Sequence, residues 1–593
     1  MRYALVGAGT IFVLLMLHPN LQNCAVTVQP GQSIQQAINT VAEGAIVCLA
    51  PGTFTESITI NKNLALRGAG RTQTVLQGAV RIERDQEITV ALTSLTVSGS
   101  RFSAGVRVAG QALVTLDDVV VTESFMGVLA VGSARVVIAN ALVSGNQYDG
   151  VRAEGASLLT VQGTRVAENG LDGLVVRDSA ELKLSESVIE NNKRCGLRVF
   201  AGKASGTPNA MRGNGADLCG FAPVALRKPL VPQTEKTQLA VPGDFQNLQE
   251  ALDAIAPGGT VLLQSGTYEV GLTLWKPVTV RGSGETTLRA LPERQLVLSV
   301  IADAQSVVLE GVTVTGSRGD GLLLYGQTTL RTVQILKHTD DGVEIAGSAV
   351  VQLISSSVSG SGDDGIFISE KAQLTLIDST VSDNGGDGIE ARDSASVKLQ
   401  NSQVSANKLR GLDIRIAAQL ELTSSRVVGN KSDGLVLRDS GQARLDTAQI
   451  LDNGADGLLV TDTARVLLAG STISGNSSNG LEVSGAALAE VRRAALEGNG
   501  TAEGCARADQ LCTGVVVIGD AQLRLVDSAI RANADWGIMS WLRRCGAPFD
   551  FFRGAVTFEG TNTIEGNNKS GNHKGNPGTH PFANLPDGQV CLP

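Results

Sequence analysis

Between residues 365 and 480 the chain repeats one pattern of apolar and polar positions. Short runs of alternating character, such as Leu435-Val436-Leu437, Ala443-Arg444-Leu445 and Ala448-Gln449-Ile450, are separated by turn residues. A glycine recurs at 365, 388, 411, 434, 457 and 480, a fixed period without a slip. An asparagine stands four places before most of them (Asn384, Asn407, Asn430, Asn453, Asn476), and an acidic residue usually stands immediately before (Asp364, Asp387, Asp433, Asp456). Alternation of this kind, closed by turn residues, predicts strands. Three strands per repeat with no room for a helix predict a coil of parallel sheet, each turn pairing with the next.

The marker glycine extends back to Gly342 and Gly321 and forward to Gly514 and Gly537, where the gap from 480 to 514 carries an insertion at 501–513. A separate run occupies Gly105, Gly127, Gly150, Gly173 and Gly196. Before it lies an amphipathic segment with Ser33 as N-cap and Ile34, Ala37, Ile38 and Val41 on one face. The same segment returns later in the chain without a gap. Ser33-Ile34-Gln35-Gln36-Ala37-Ile38 reappears as Asn247-Leu248-Gln249-Glu250-Ala251-Leu252, and Pro51-Gly52-Thr53-Phe54 as Ser265-Gly266-Thr267-Tyr268. An exposed end of such a stack offers unpaired strand edges and needs a cover. The expected fold is therefore all-β: two tandem coils of parallel sheet, each opened by a short capping helix. The first spans 26–222, a proline-containing linker spans 223–238, and the second spans 239–593.

Aromatic residues make up only 3% of the chain and glycines number 69, which suits stacked turns around small aliphatic side chains. A net charge of −9 lacks the basic stripe that nucleic acid requires. Arg2 followed by the apolar stretch 4–17 reads as an export signal covering 1–25, and no later segment is apolar enough to span a membrane. Eight cysteines fit an exported protein and fall into local pairs: Cys24 with Cys48, Cys195 with Cys219, Cys505 with Cys512, and Cys545 with Cys591. Gln238 and Leu262 occupy the positions of Cys24 and Cys48 in the second copy, so the two cysteines are lost together. That favours a bond between them over a lipid on Cys24. The expected location is secreted, periplasmic or cell-envelope.

The cap Ser33–Gly70, its copy Asn247–Gly284, and repeats such as Asp383-Asn384-Gly385-Gly386-Asp387-Gly388-Ile389 resemble the right-handed parallel β-helix, or pectin-lyase-like, superfamily. They resemble in particular its carbohydrate-binding and sugar-hydrolase domains and the group of the periplasmic accessory protein of nitrous oxide reductase. The resemblance implies single-stranded right-handed β-helices. It does not imply one activity, because that scaffold carries lyases, hydrolases, epimerases and inert modules.

Three sets of residues carry candidate chemistry. Acidic residues before successive glycines form a column at a coil spacing of about 4.8 Å. It reads mainly as a solvated turn, with Asp363, Asp364 and Asp387 as candidate Ca²⁺ ligands; no cofactor is required. Gly362-Asp363-Asp364-Gly365 also resembles the paired aspartates of polygalacturonases, but the histidine-glycine and arginine-x-lysine elements of that family are missing. The third set surrounds Gly411. Arg410 replaces the usual aspartate beside Lys408, Arg392, Arg415 and Arg438 recur four places after successive glycines, and Glu390 and Asp413 recur two after. Arginine grips carboxylates in a fork, so the patch fits a uronate. In an enzyme, Arg415, Asp413 and Arg410 are the catalytic candidates, and Glu390, Arg392, Arg438 and Lys408 the substrate-binding ones. The competing expectation is surface pairing within Arg392-Asp393 and Arg438-Asp439. Phe367, Trp536 and Trp541 are the isolated candidates for stacking on sugar. The sequence reads first as a non-catalytic module that binds a polysaccharide or cell-surface partner, with a lyase or epimerase acting on uronate polymers as the alternative.

Overall fold

The computed structural model describes residues 23–501, 512–541, 545 and 552–593. Most of the expected signal segment, and the pairing of Cys505, lie outside them. The structure is an all-β parallel solenoid. The chain divides into two compact units, one ending at Pro229 and the next beginning at Leu230.

In the second unit each coil contributes one strand to each of three sheets, of 14, 13 and 13 strands. Around Gly434 the strands are Leu435–Leu437, Gln442–Asp446 and Gln449–Leu451. The register is one period per turn, with Leu412 beside Leu435 and Leu435 beside Leu458. The inward positions of these strands are mostly Leu, Ile, Val or Ala and are buried, which is what the alternation encodes. The period exists because parallel pairing is satisfied only when equivalent residues stack. The marker glycine follows from the same packing: a Cβ on Gly388 would stand 2.6 Å from both the Asn407 amide nitrogen and the Gly411 carbonyl oxygen.

The first unit differs. It has two sheets, of 15 and 8 strands, because Val80–Thr93 and Ala104–Asp117 are continuous strands of 14 residues that run through a corner of the coil. Short helices occupy Ile34–Thr40 and Leu248–Ala254. Ser33 and Asn247 accept the amides of Gln36 and Glu250 as N-caps. Lys62 and Lys276, which hold equivalent places in the two copies, donate to the carbonyls at the helix C-termini, Val41 and Ile255.

A ladder of buried asparagines runs inside one turn. Asn430 donates through its side-chain amide to the Asn453 Oδ1 at 2.9 Å, and its own Oδ1 accepts both the backbone and side-chain nitrogens of Asn407, at 3.1 and 2.9 Å. The ladder continues through Asn499, Asn533 and Asn567 to Gln589. A serine ladder (Ser356, Ser379, Ser402, Ser425) meets the backbone amide of the preceding coil at each step. Disulfides join Cys24 to Cys48, Cys195 to Cys219 and Cys545 to Cys591. Among the described residues no helix is long and apolar enough to cross a membrane.

Candidate functional site

The acidic column is solvated only in part: Asp340 and Asp363 are exposed and Asp341, Asp433 and Asp456 half-buried, but others are buried. Asp320, Asp364 and Asp387 are 3%, 8% and 2% exposed. Carboxylates of the column are drawn in to accept backbone amides of neighbouring coils. Asp341 accepts from Asp364, Asp364 from Asp387, and Asp387 from Arg410, at 3.0, 2.7 and 2.7 Å. Asn479 fills the same place without charge, accepting the Thr513 amide at 3.0 Å.

Burial has a titration consequence. It pushes the Asp341 carboxyl up to about 9, with Asp320, Asp364 and Asp340 adding repulsion. It pushes Asp364 up to about 7, although the hydrogen bond from Asp387 opposes this. Asp387 is also raised by burial, with the amide and charge of Arg410 opposing. For a carboxyl whose folded pKa is raised, the native chain holds the proton that the unfolded chain releases from about pH 3.9 upward. Stability is therefore present at low pH and is lost as pH rises toward the folded value. Asp341→Asn keeps the acceptor, as Asn479 does, and removes the titration. Thermal unfolding should show the wild-type midpoint falling between pH 5 and pH 9 and the variant falling less. Parallel pH profiles would refute this assignment.

The structure divides the proposed metal ligands. Asp363 gathers with Asp340 and Asp341, whereas Asp364 and Asp387 gather with Glu390, each trio within 4.8 Å. Ca²⁺ takes 6–8 oxygens. The second trio fits it poorly, since its oxygens already serve the amides of Asp387 and Arg410 and the guanidinium groups of Arg392 and Arg415. The first trio is more open to water and is the better candidate.

Around Gly411 the arginines gather on buried carboxylates. Asp413 is 0% exposed yet faces away from the coil interior, covered by long side chains. Arg410 reaches it at 3.0 Å and Arg415 at 2.6 Å, and Arg438 donates from Nε at 3.0 Å. Arg410 also meets Asp387 at 3.3 Å. Glu390 holds Arg392 at 2.5 Å and Arg415 at 3.3 Å. The expected pairs Arg392-Asp393 and Arg438-Asp439 do not form. Asp393 and Asp439 adopt positive φ, and their carboxylates accept the backbone amides of Glu370 and Ile416 instead. Lys408 is exposed; its backbone amide donates to the Asn384 carbonyl at 2.9 Å, and no hydrogen bond or ion pair among the described residues joins its side chain to this group.

This arrangement changes what each group can do. Burial alone would raise the Asp413 carboxyl, but hydrogen bonds from Arg438 and Arg415 hold it below the ordinary range. Burial alone would lower the Arg415 pKa, but the Asp413 hydrogen bond and charge raise it. A guanidinium made more basic is a poor proton acceptor. Asp364, raised to about 7 and within 4.8 Å of Glu390, is a far better one. The arginines keep exposed faces, from 28% for Arg410 to 43% for Arg392, whose guanidinium lies 4.5 Å from the Phe367 ring. Trp536 is buried at 2% against Met539 and Cys591 and is core rather than a stacking platform, whereas Trp541 packs on the same cluster and is partly buried.

Residues 78–224, 298–450 and 433–576 match the family model for a right handed beta helix region. No curated protein matches the chain. Similar solved structures include the pectate lyase Pel9A, 14% identical over 55% of this chain and 82% of that one, with a TM-score of 0.29. An alginate lyase from Paenibacillus sp. str. FPU-7 is 15% identical over 50% and 97%, with a TM-score of 0.28. A mutant of the periplasmic alginate epimerase AlgG is 10% identical over 79% and 82%, with a TM-score of 0.28. Likeness at that level concerns the coil and not its chemistry.

Proposed function

The chain belongs to the right-handed β-helix family, and on that premise we propose that it acts on a uronate-containing polysaccharide as a lyase or epimerase. The observation that carries this reading is the juxtaposition on coils 364–438 of a carboxyl poised near pH 7, Asp364, with an array of arginines. The arginine faces hold the substrate carboxylate, which acidifies the proton on the adjacent carbon. Asp364 in its ionised form removes that proton. In a lyase the neighbouring carbon–oxygen bond then breaks to leave a double bond, and the departing oxygen takes up a proton. In an epimerase a proton returns to the opposite face. We place the protein outside the cytoplasm, as two β-helices in tandem, each covered by its short N-terminal helix. The disulfides among the described residues support that location.

The test is incubation with polygalacturonate and alginate, with and without calcium, reading ultraviolet absorbance for the double bond and proton NMR for epimerisation. Asp364→Asn should lower kcat by about 10²–10⁴-fold, and Arg415→Ala should chiefly raise KM. No turnover of either polymer by either readout would overturn the enzyme reading. The second reading, a non-catalytic glycan-binding module, is favoured by one observation: Asp413 and Glu390 already occupy the arginines.

A further inference from the structure

In the first unit, one turn carries a row of large apolar side chains. Phe125, Tyr148 and Leu171 hold equivalent places on successive coils. Tyr148 donates its amide to the Phe125 carbonyl at 2.8 Å, and Leu171 donates to the Tyr148 carbonyl at 3.1 Å. The Phe125 and Tyr148 rings lie 4.6 Å apart between centroids, tilted by 31°. Phe102 extends the row at one end, where Phe125 donates its amide to the Ser100 carbonyl at 2.7 Å. Phe102 is 99% exposed and Tyr148 42%. Asn146, Asp149, Asn169 and Asp172, which share this turn, are buried. The turn thus shows apolar side chains to water and hides polar ones, the reverse of the usual partition.

The cations near the row are of two kinds. Arg152 is held by Asp149 and Glu154, and Arg194 acts electrostatically on the buried Asp172. Arg101, beside Phe102, is exposed, and Lys193, at the Leu171 end, is half-buried. No hydrogen bond or ion pair among the described residues engages either of these two side chains. Glu123 is an exposed acid of the same turn and opposes them, whereas Glu168 is paired with Arg165 at 3.3 Å. Charge is also divided between the units. Lys and Arg outnumber Asp and Glu from residue 23 to 229, whereas acids predominate from 230 onward. Apolar side chains flanked by unpaired cations match the boundary between headgroups and acyl chains of a bilayer. A phenol suits that boundary with its apolar ring and polar hydroxyl, and cations are drawn to anionic headgroups. A second copy fits less well, because Phe102 stands clear of its own chain and two such knobs bury little area against each other.

We propose that this turn of the first unit docks on an anionic lipid surface, with Phe102, Phe125, Tyr148 and Leu171 entering the headgroup boundary and Arg101 and Lys193 meeting lipid phosphates. The site requires no chemistry at Asp364 and stands apart from the enzyme reading.

Flotation of the full chain with vesicles of phosphatidylcholine, alone or mixed with phosphatidylglycerol, tests it. The wild type should float with the mixed vesicles and far less with phosphatidylcholine alone, since attachment combines apolar burial with attraction to anionic lipid. Phe102→Ala should weaken the partition about tenfold, the scale of burying one phenyl side chain. Being altered at a fully exposed position, that variant should keep the wild-type unfolding midpoint. Arg101→Ala and Lys193→Ala should each weaken the partition about fivefold at low salt, and added salt should erase that difference. Glu123→Gln should strengthen it, and Asp364→Asn should leave it unchanged. Flotation with neither vesicle would overturn the proposal, and so would wild-type flotation by a Phe102→Ala/Tyr148→Ala double variant. A dimer seen by sedimentation equilibrium without lipid, and lost in Phe102→Ala, would also overturn it by assigning the row to a second copy.

Discussion

Asp413→Ala should destabilise the second unit by about 3–5 kcal/mol, the cost of removing one partner from a buried ion cluster. Arg410, Arg415 and Arg438 all converge on this carboxylate. Without it, three like charges remain packed together over coils about 4.8 Å apart. Their exposed faces let them turn partly toward water, which places the expected loss at the lower end of that range. Asp413→Asn separates charge from shape, because it keeps the volume and one acceptor but not the neutralisation. The cluster also has a pH signature opposite to that of Asp341. The folded Asp413 carboxyl titrates below its unfolded value. Its contribution is therefore fully present above about pH 3.9 and is lost as pH falls through the lower folded value. Urea unfolding followed by circular dichroism would measure the loss, and an Asp413→Ala/Arg415→Ala double variant should recover part of it. A change within about 0.5 kcal/mol would mean that the cluster is surface decoration.

Asn430→Ala should be of similar size for a different reason. It leaves the Asn407 backbone and side-chain nitrogens without the oxygen they share, inside a turn closed to water. Each orphaned donor costs about 1–3 kcal/mol, and the missing side chain adds a small void. Because a solenoid is held by nearest-neighbour contacts, the damage should concentrate on coils 384–453. Hydrogen exchange should show lost protection there first. Uniform protection along the unit would count against the ladder as the local tie. Asn430→Asp adds a second measurement, since a carboxylate in that place faces the Asn453 carbonyl oxygen. It should be worst at neutral pH and partly restored when protonated.

The period was readable because stacking forces every coil to repeat its faces, so Gly388, Asn407 and their equivalents announce themselves at a fixed interval. Depth was not readable. The position two places after each glycine points outward, and nothing in the alternation says that Asp413 lies beneath three longer side chains. The acidic column misled for the same reason: a row of carboxylates implies water until their hydrogen bonds to neighbouring amides are seen. Asn499 escaped notice because the insertion parts it from Gly514, although it stands one regular period after Asn476, and Asn567 because it lies 34 residues beyond Asn533. The stacked pair of Phe125 and Tyr148, with ring centroids 4.6 Å apart, did leave a signal: both stand two places before a marker glycine, one period apart.

The coil that contains the longer gap shows how such a protein can acquire novelty. Leu481 pairs with Val515 across that gap, yet the asparagine ladder crosses the same interval unbroken, from Asn499 to Asn533 at 3.0 Å. Extra sequence entered at a corner, and the neighbouring strands kept their partners. The frame from Asn499 to Asn533 thus keeps its register although the chain between them is longer than one period. Recombination could test new passengers there without renegotiating the architecture that carries them.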